Sequence, residues 1–118
     1  MNKYVIAGNW KMNNDLKESI TLVSEIKTSL EKRENIDVIL CPPFTSLETA
    51  SALLKDSHIK LGAQNMHFED SGAFTGEISA KMLKSVGCEY VILGHSERRT
   101  IFNETDEVIN KKIKKALS

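Results

Sequence analysis

The sequence predicts an α/β fold of four strand–helix units with the strands parallel. Three observations lead there. Short apolar runs rich in β-branched residues recur at 4–7, 36–40, 58–63 and 90–93. Between them lie segments whose apolar residues return at three- and four-residue steps, the helical period. Polar residues collect just after the runs, where α/β folds carry their chemistry. Strict alternation of strand and helix means right-handed crossovers and a parallel sheet.

In chain order, the first strand is 4–7, ended by Gly8, and Asn9, Trp10, Lys11, Met12, Asn13 and Asn14 form a loop. A helix over 15–32 follows, with Leu16, Ile20, Val23, Ile26 and Leu30 along one face. Asn13 or Asn14 caps its start, and Lys32 and Arg33 suit its negative end. The second strand, 36–40, is stopped by Pro42 and Pro43, which donate no ladder hydrogen bond. Thr45-Ser46-Leu47-Glu48 has the form of a capping box and predicts a second helix to Leu54. The third strand lies within 58–63, and a long polar connection, 64–77, follows it. Connections of that length are usually functional or disordered. A short helix over 78–86 ends at Gly87, suited to a left-handed turn. The fourth strand, 90–93, reads as buried on both faces, and Gly94 turns the chain into His95, Ser96, Glu97, Arg98 and Arg99. The last helix starts near Thr105, Asp106 and Glu107, ends among Lys111, Lys112, Lys114 and Lys115, and offers Ile109, Ile113 and Leu117 as its apolar face.

With 118 residues the chain suits one domain. Lys plus Arg and Asp plus Glu both total 16, so no bulk charge draws it to nucleic acid or an anionic membrane. No apolar run approaches a membrane span, and residues 1–8 do not resemble a signal peptide. Cys41 and Cys88 lack Cys-x-x-Cys spacing and read as small residues beside buried strands in a reducing, cytoplasmic compartment. Polar groups follow strand one (Asn9, Lys11), strand three (Gln64, Asn65) and strand four (His95, Glu97). An open sheet gathers its site at one switch point, whereas a closed β/α barrel spreads it around successive strand ends. Pattern alone leaves both architectures open.

Gly8-Asn9-Trp10-Lys11-Met12-Asn13 and Gly94-His95-Ser96-Glu97-Arg98-Arg99 together closely resemble the triosephosphate isomerase family. Ala73-Phe74-Thr75-Gly76-Glu77-Ile78-Ser79 is similar to that family's subunit-contact loop, and the Phe-x-Glu-Thr-Asp-Glu run from Phe102 to Glu107 to the start of its fourth helix. The resemblance extends over all 118 residues in family order. It implies the N-terminal half of a TIM (β/α)8 barrel, with 1–118 as one four-unit half-barrel. A full barrel needs eight units and about 250 residues. The family's catalytic glutamate and glycine-rich phosphate loops therefore have no counterpart here, and the chain alone is expected to be inactive and either to self-associate, through its bare edges, the 64–77 loop or both, or to stay partly molten.

The same resemblance implies interconversion of dihydroxyacetone phosphate and glyceraldehyde 3-phosphate through an enediolate, in glycolysis and gluconeogenesis, with no cofactor and no metal. Lys11 then supplies positive charge for substrate and enediolate, Asn9 donates to a substrate oxygen or orients Lys11, and His95 donates to the same oxygen from a neutral ring. This family is itself a known example of a neutral catalytic imidazole, so that role is carried over rather than read from spacing. Glu97 and Ser96 support the three, Glu97 by pairing with Lys11 or Asn9. Thr75, Glu77, Arg98 and Gln64 are implied contacts of a homodimer, Glu77 meeting Arg98 across it. Trp10, Met12 and Phe44 are read as packing rather than ligand contacts, and His58 and His67 have no functional context. Two other classes compete: a phosphate-binding α/β module, which lacks a Gly-x-Gly-x-x-Gly or Walker fingerprint here, and a folding fragment without activity.

Overall fold

In the computed structural model, which describes residues 3–118, four strands run parallel in the order β1-β2-β3-β4. They are β1 (Tyr4–Asn9), β2 (Ile36–Cys41), β3 (Lys60–Ala63) and β4 (Tyr90–Val91). The helices are α1 (Leu16–Ser29), α2 (Leu47–Leu53), α3 (Ala80–Ser85), α4 (Ser96–Thr100) and α5 (Asp106–Leu117). β1 pairs along its length with β2, from Tyr4 opposite Ile36 to Asn9 opposite Cys41. Gly62 and Ala63 of β3 lie opposite Tyr90 and Val91. The sheet and its crossover helices form the N-terminal half of a β/α barrel. The core joins strands to helices through Val23 of α1, Leu40 of β2, Ala50 of α2, Leu61 of β3 and Leu83 of α3. No helix among the described residues is long and apolar enough to cross a membrane.

Several local expectations are corrected. Asp15, not Asn13 or Asn14, caps α1: its carboxylate accepts from Glu18 N–H at 2.9 Å, and Glu18 accepts from Asp15 N–H at 3.1 Å. α1 stops at Ser29, since Leu30 is already extended (φ −95°, ψ 115°), which leaves Lys32 and Arg33 beyond the helix. The capping box at Thr45 does not form. Residues Phe44–Ser46 make a 3₁₀ turn, and the buried Ser46 hydroxyl donates to Ser19 Oγ at 2.9 Å instead of capping α2. β3, Lys60–Ala63, does lie within 58–63 as expected. Ser79 caps α3, and Gly87 (φ 93°) supplies the left-handed exit.

β4 is shorter than 90–93 and is not buried on both faces: Tyr90 is 39% exposed. Strand burial needs a neighbour on each side and cover on each face, and β4 is an edge. The apolar face of α5 is only partly realised. Ile109 is buried, while Ile113 and Leu117 are 42% and 82% exposed, and Lys112, one turn from Ile109, takes the inward position at 3%. Trp10 joins the core, but Met12, read as a packing residue, is 95% exposed, and Phe44, read likewise, is 39% exposed. Both cysteines are free and buried, and burial pushes their thiols up to about 11.

Candidate active site

The strand ends bring Asn9, Lys11, Gln64, Asn65, His95 and Glu97 around one cleft of about 210 Å³. Asn9 is the last residue of β1, and its side-chain oxygen accepts from Lys11 N–H at 2.9 Å. That turn holds Lys11 in a left-handed conformation (φ 57°), a position that normally favours glycine. From it, Lys11 Nζ reaches Glu97 Oε1 at 2.7 Å. The hydrogen bond from Lys11 lowers the Glu97 carboxyl below its ordinary value; desolvation opposes this, and the charge of Lys11 adds to it.

Gly94 aims the histidine. Its left-handed backbone (φ 65°) would strain any side chain, and a Cβ there would crowd Ile109 Cδ1 at 3.0 Å and Arg99 Nη2 at 3.1 Å. Arg99 secures the turn by donating to Gly94 O at 2.9 Å and to Asp106. His95 then stands as the N-cap of α4, its Nδ1 accepting from Glu97 N–H at 3.0 Å. The accepting nitrogen bears no proton, so Nε2 is the N–H of the neutral ring and is free to donate. Glu97 Oε2 also lies 3.6 Å from Nδ1. Glu97 thus touches both Lys11 and His95 without a strong bond to the ring. Ser96 opens α4 with an exposed side chain.

The residues read as dimer contacts are scattered within the chain. Thr75 and Glu77 are exposed on the loop after β3, Glu77 3.8 Å from His67 Nδ1. Arg98 is taken up by Glu104 at 3.0 Å and lies over the Phe102 ring. Gln64 points inward, donating to Lys11 O and Cys41 O at 2.9 and 2.8 Å. Among the described residues no group of three or more His, Cys, Asp or Glu is placed to hold a metal ion.

One buried cluster escaped the sequence reading, although each of its residues had been named there. Lys112 Nζ donates to Glu104 Oε2 at 2.6 Å and to Asn65 Oδ1 at 2.9 Å, with both charged side chains almost wholly buried. Burial pushes the Glu104 carboxyl up, but hydrogen bonds from Lys112 and Arg98 outweigh it and hold the group below its ordinary value. The available signal was Lys112 three residues after Ile109, on the same helical side.

A family model described as triosephosphate isomerase matches residues 4–118. A protein of Alkaliphilus metalliredigens named triosephosphate isomerase is 59% identical over 99% of this chain and 47% of its own length. One of Clostridium botulinum with the same name is 58% identical over 98% of this chain and 46% of its own. One of Dehalococcoides mccartyi is 56% identical over 99% and 46%. The chain spans about half the length of the curated relatives it matches.

Proposed function

The chain belongs to the triosephosphate isomerase family, and from that premise we propose that it supplies the oxygen-polarising half of an isomerase site acting on a phosphorylated triose. The observation that carries the reading is the convergence of Lys11 Nζ, His95 and Asn9 on one cleft, with Glu97 2.7 Å from the lysine. Isomerising a hydroxy-ketone to a hydroxy-aldehyde removes a proton beside a carbonyl and drives negative charge onto its oxygen. A fixed ammonium and a neutral imidazole N–H aimed at that oxygen stabilise the enediolate more than the ground state, which is what raises turnover. Lys11 also meets the charge of the substrate phosphate. Asn9 holds the Lys11 turn, and Glu97, with Ser96 beside it, holds the ammonium in place.

Among the described residues Glu97 is the one carboxylate lining the cleft, and Lys11 occupies it. The base that takes the carbon-bound proton, and the loops that close over the phosphate, come from a second (β/α)4 segment, residues 1–118 being one half-barrel domain. The reaction belongs to glycolysis and gluconeogenesis in the cytoplasm, and the full barrel is a homodimer in which Thr75, Glu77, Arg98 and Gln64 lie at the subunit contact. The test is an isomerase assay on the 118-residue chain alone and after adding the complementary half of a relative. Little or no turnover alone is expected, since general base catalysis contributes about 10²–10⁴-fold, with activity restored on complementation. Full turnover by the chain alone, or none after a demonstrated complex forms, overturns it.

A further inference from the structure

Arg99 grips the chain on both sides of the His95 α-carbon. Its backbone N–H donates to His95 O at 3.2 Å, and its side chain folds back so that Nε donates to Gly94 O at 2.9 Å. Residue 99 lies four positions after 95, on the same face of α4, and helical side chains lean toward the N-terminus. The neighbouring guanidinium, Arg98, is engaged elsewhere, by Glu104 at 3.0 Å. The far end of the Arg99 fork is fixed from α5, where Nη1 donates to Asp106, the first residue of that helix. Three residues on, the buried Ile109 crowds the space beside Gly94. α5 therefore supports the turn into His95 twice, by packing and through Arg99.

As a source of stability this link is weak. The Arg99 and Asp106 side chains are 45% and 92% exposed, and ion pairs so exposed contribute little. What the link fixes is a direction. The planar guanidinium donates to a carbonyl and a carboxylate at set angles, which a lysine ammonium does not reproduce. One of those acceptors, Gly94 O, belongs to the peptide that leads into His95 (φ −54°, ψ 145°). The orientation of that peptide sets where the imidazole starts, and from there Nδ1 meets Glu97 N–H at 3.0 Å.

We propose that Arg99 is a positioning residue for His95: anchored on Asp106, it locks the Gly94–His95 peptide so that the ring keeps Nδ1 on Glu97 N–H and presents Nε2 as the donor. Arg99 is not among the residues lining the cleft, so it acts through the histidine and not on a substrate. Its effect on turnover rests on the isomerase reading above, but its effect on the ring does not. A ring displaced by about 1 Å is enough to cost about 10²-fold in rate.

Arg99→Ala, Arg99→Lys and Asp106→Glu test this against the parent, by nitrogen NMR of His95 in the 118-residue chain, alone and complemented, and by kcat and KM after complementation. In Arg99→Ala the neutral ring should become a mixture of tautomers, and kcat should fall about 10²-fold with KM little changed. Arg99→Lys keeps the charge without the fork and should behave like Arg99→Ala. Asp106→Glu keeps the carboxylate and should keep the parent ring, and guanidinium ion added to Arg99→Ala should restore part of kcat. Should Arg99→Ala fail to fold, Arg99→Lys decides. A lower melting temperature with an unmoved ring signal means a merely structural role and overturns the proposal. So does a parent ring without a fixed tautomer in either preparation, since Arg99 then has no geometry to keep. A ring that shifts while kcat holds supports the positioning and overturns instead the role of His95 in isomerisation.

Discussion

Gln64 Nε2 donates at once to Lys11 O, at 2.9 Å, and to Cys41 O, at 2.8 Å, tying the loop after β1 to the end of β2. Lys11 sits at φ 57°, where a side chain costs roughly 1–2 kcal/mol. The amide side chain therefore holds a strained turn from the far side, while Asn9 holds it from within. Gln64→Glu replaces both donors by an acceptor facing two carbonyls. A loss of about 1–3 kcal/mol in urea unfolding is expected, because the carbonyls lose their partners and an anion faces them. Unchanged stability would show that the clamp contributes nothing.

The Lys11–Glu97 pair makes a prediction readable without turnover. The hydrogen bond from Lys11 is the largest influence on the Glu97 carboxyl and lowers it. Lys11→Met should therefore move the Glu97 titration midpoint upward, toward the ordinary carboxylate value, in a carbon NMR titration. A midpoint that stays where it was would mean the ammonium is elsewhere in solution. The pair is half-exposed, so its midpoint should also respond to salt.

For His95 the prediction is a tautomer. Glu97 N–H points at Nδ1 from 3.0 Å, so nitrogen NMR of the neutral ring should report an unprotonated Nδ1 and a protonated Nε2. The opposite tautomer would remove the donor that the proposed chemistry needs. In the complemented enzyme, His95→Gln should lower kcat more than it raises KM, since the bond strengthens as charge develops on oxygen.

How much of this was legible follows from the range of each signal. The alternation of parallel strands and helices depends on local runs visible in the pattern, which left an open sheet and a barrel both possible. The half-barrel and the grouping of Asn9, Lys11, His95 and Glu97 were implied instead by the motif resemblance. Cover for β1 and β4 is not local. A run such as Tyr90–Val91 reads as fully buried whether or not a neighbouring strand exists, so the expected burial failed at the edge. The same holds on α5, where helical period marks Ile113 and Leu117 as apolar but is silent about what they meet. Capping went astray through competition: Thr45 and Ser46 have the right residue types, but Ser46 is spent on a buried bond to Ser19 across 27 residues of chain. Gln64 was legible as a polar residue after β3 but not as a clamp, because its partners are main-chain oxygens that any sequence carries.

The buried cluster of Glu104, Lys112, Arg98 and Asn65 should govern acid stability. Glu104 Oε2 receives Lys112 Nζ at 2.6 Å and Arg98 Nε at 3.0 Å, with the carboxylate side chain 4% exposed. Its pKa is held below the unfolded value despite burial, because those donors stabilise the charged form. A group depressed in this way contributes stability that is fully present above the unfolded carboxylate pKa, about 4.3, and is lost as pH falls through the folded one. Unfolding free energy should thus hold on the neutral side and drop below about pH 4.3. Glu104→Gln removes this titration and should flatten that limb. At neutral pH it also leaves Lys112 buried beside a neutral amide, and breaking a buried pair costs about 3–5 kcal/mol. Changing both, Glu104→Gln with Lys112→Met, should recover part of that loss, since no unpaired charge is left inside. Urea unfolding of parent, single and double variants from neutral pH to pH 3 reads all three effects. A single variant as stable as the parent at neutral pH, with the same acid limb, would show that the cluster is solvated and carries no such role.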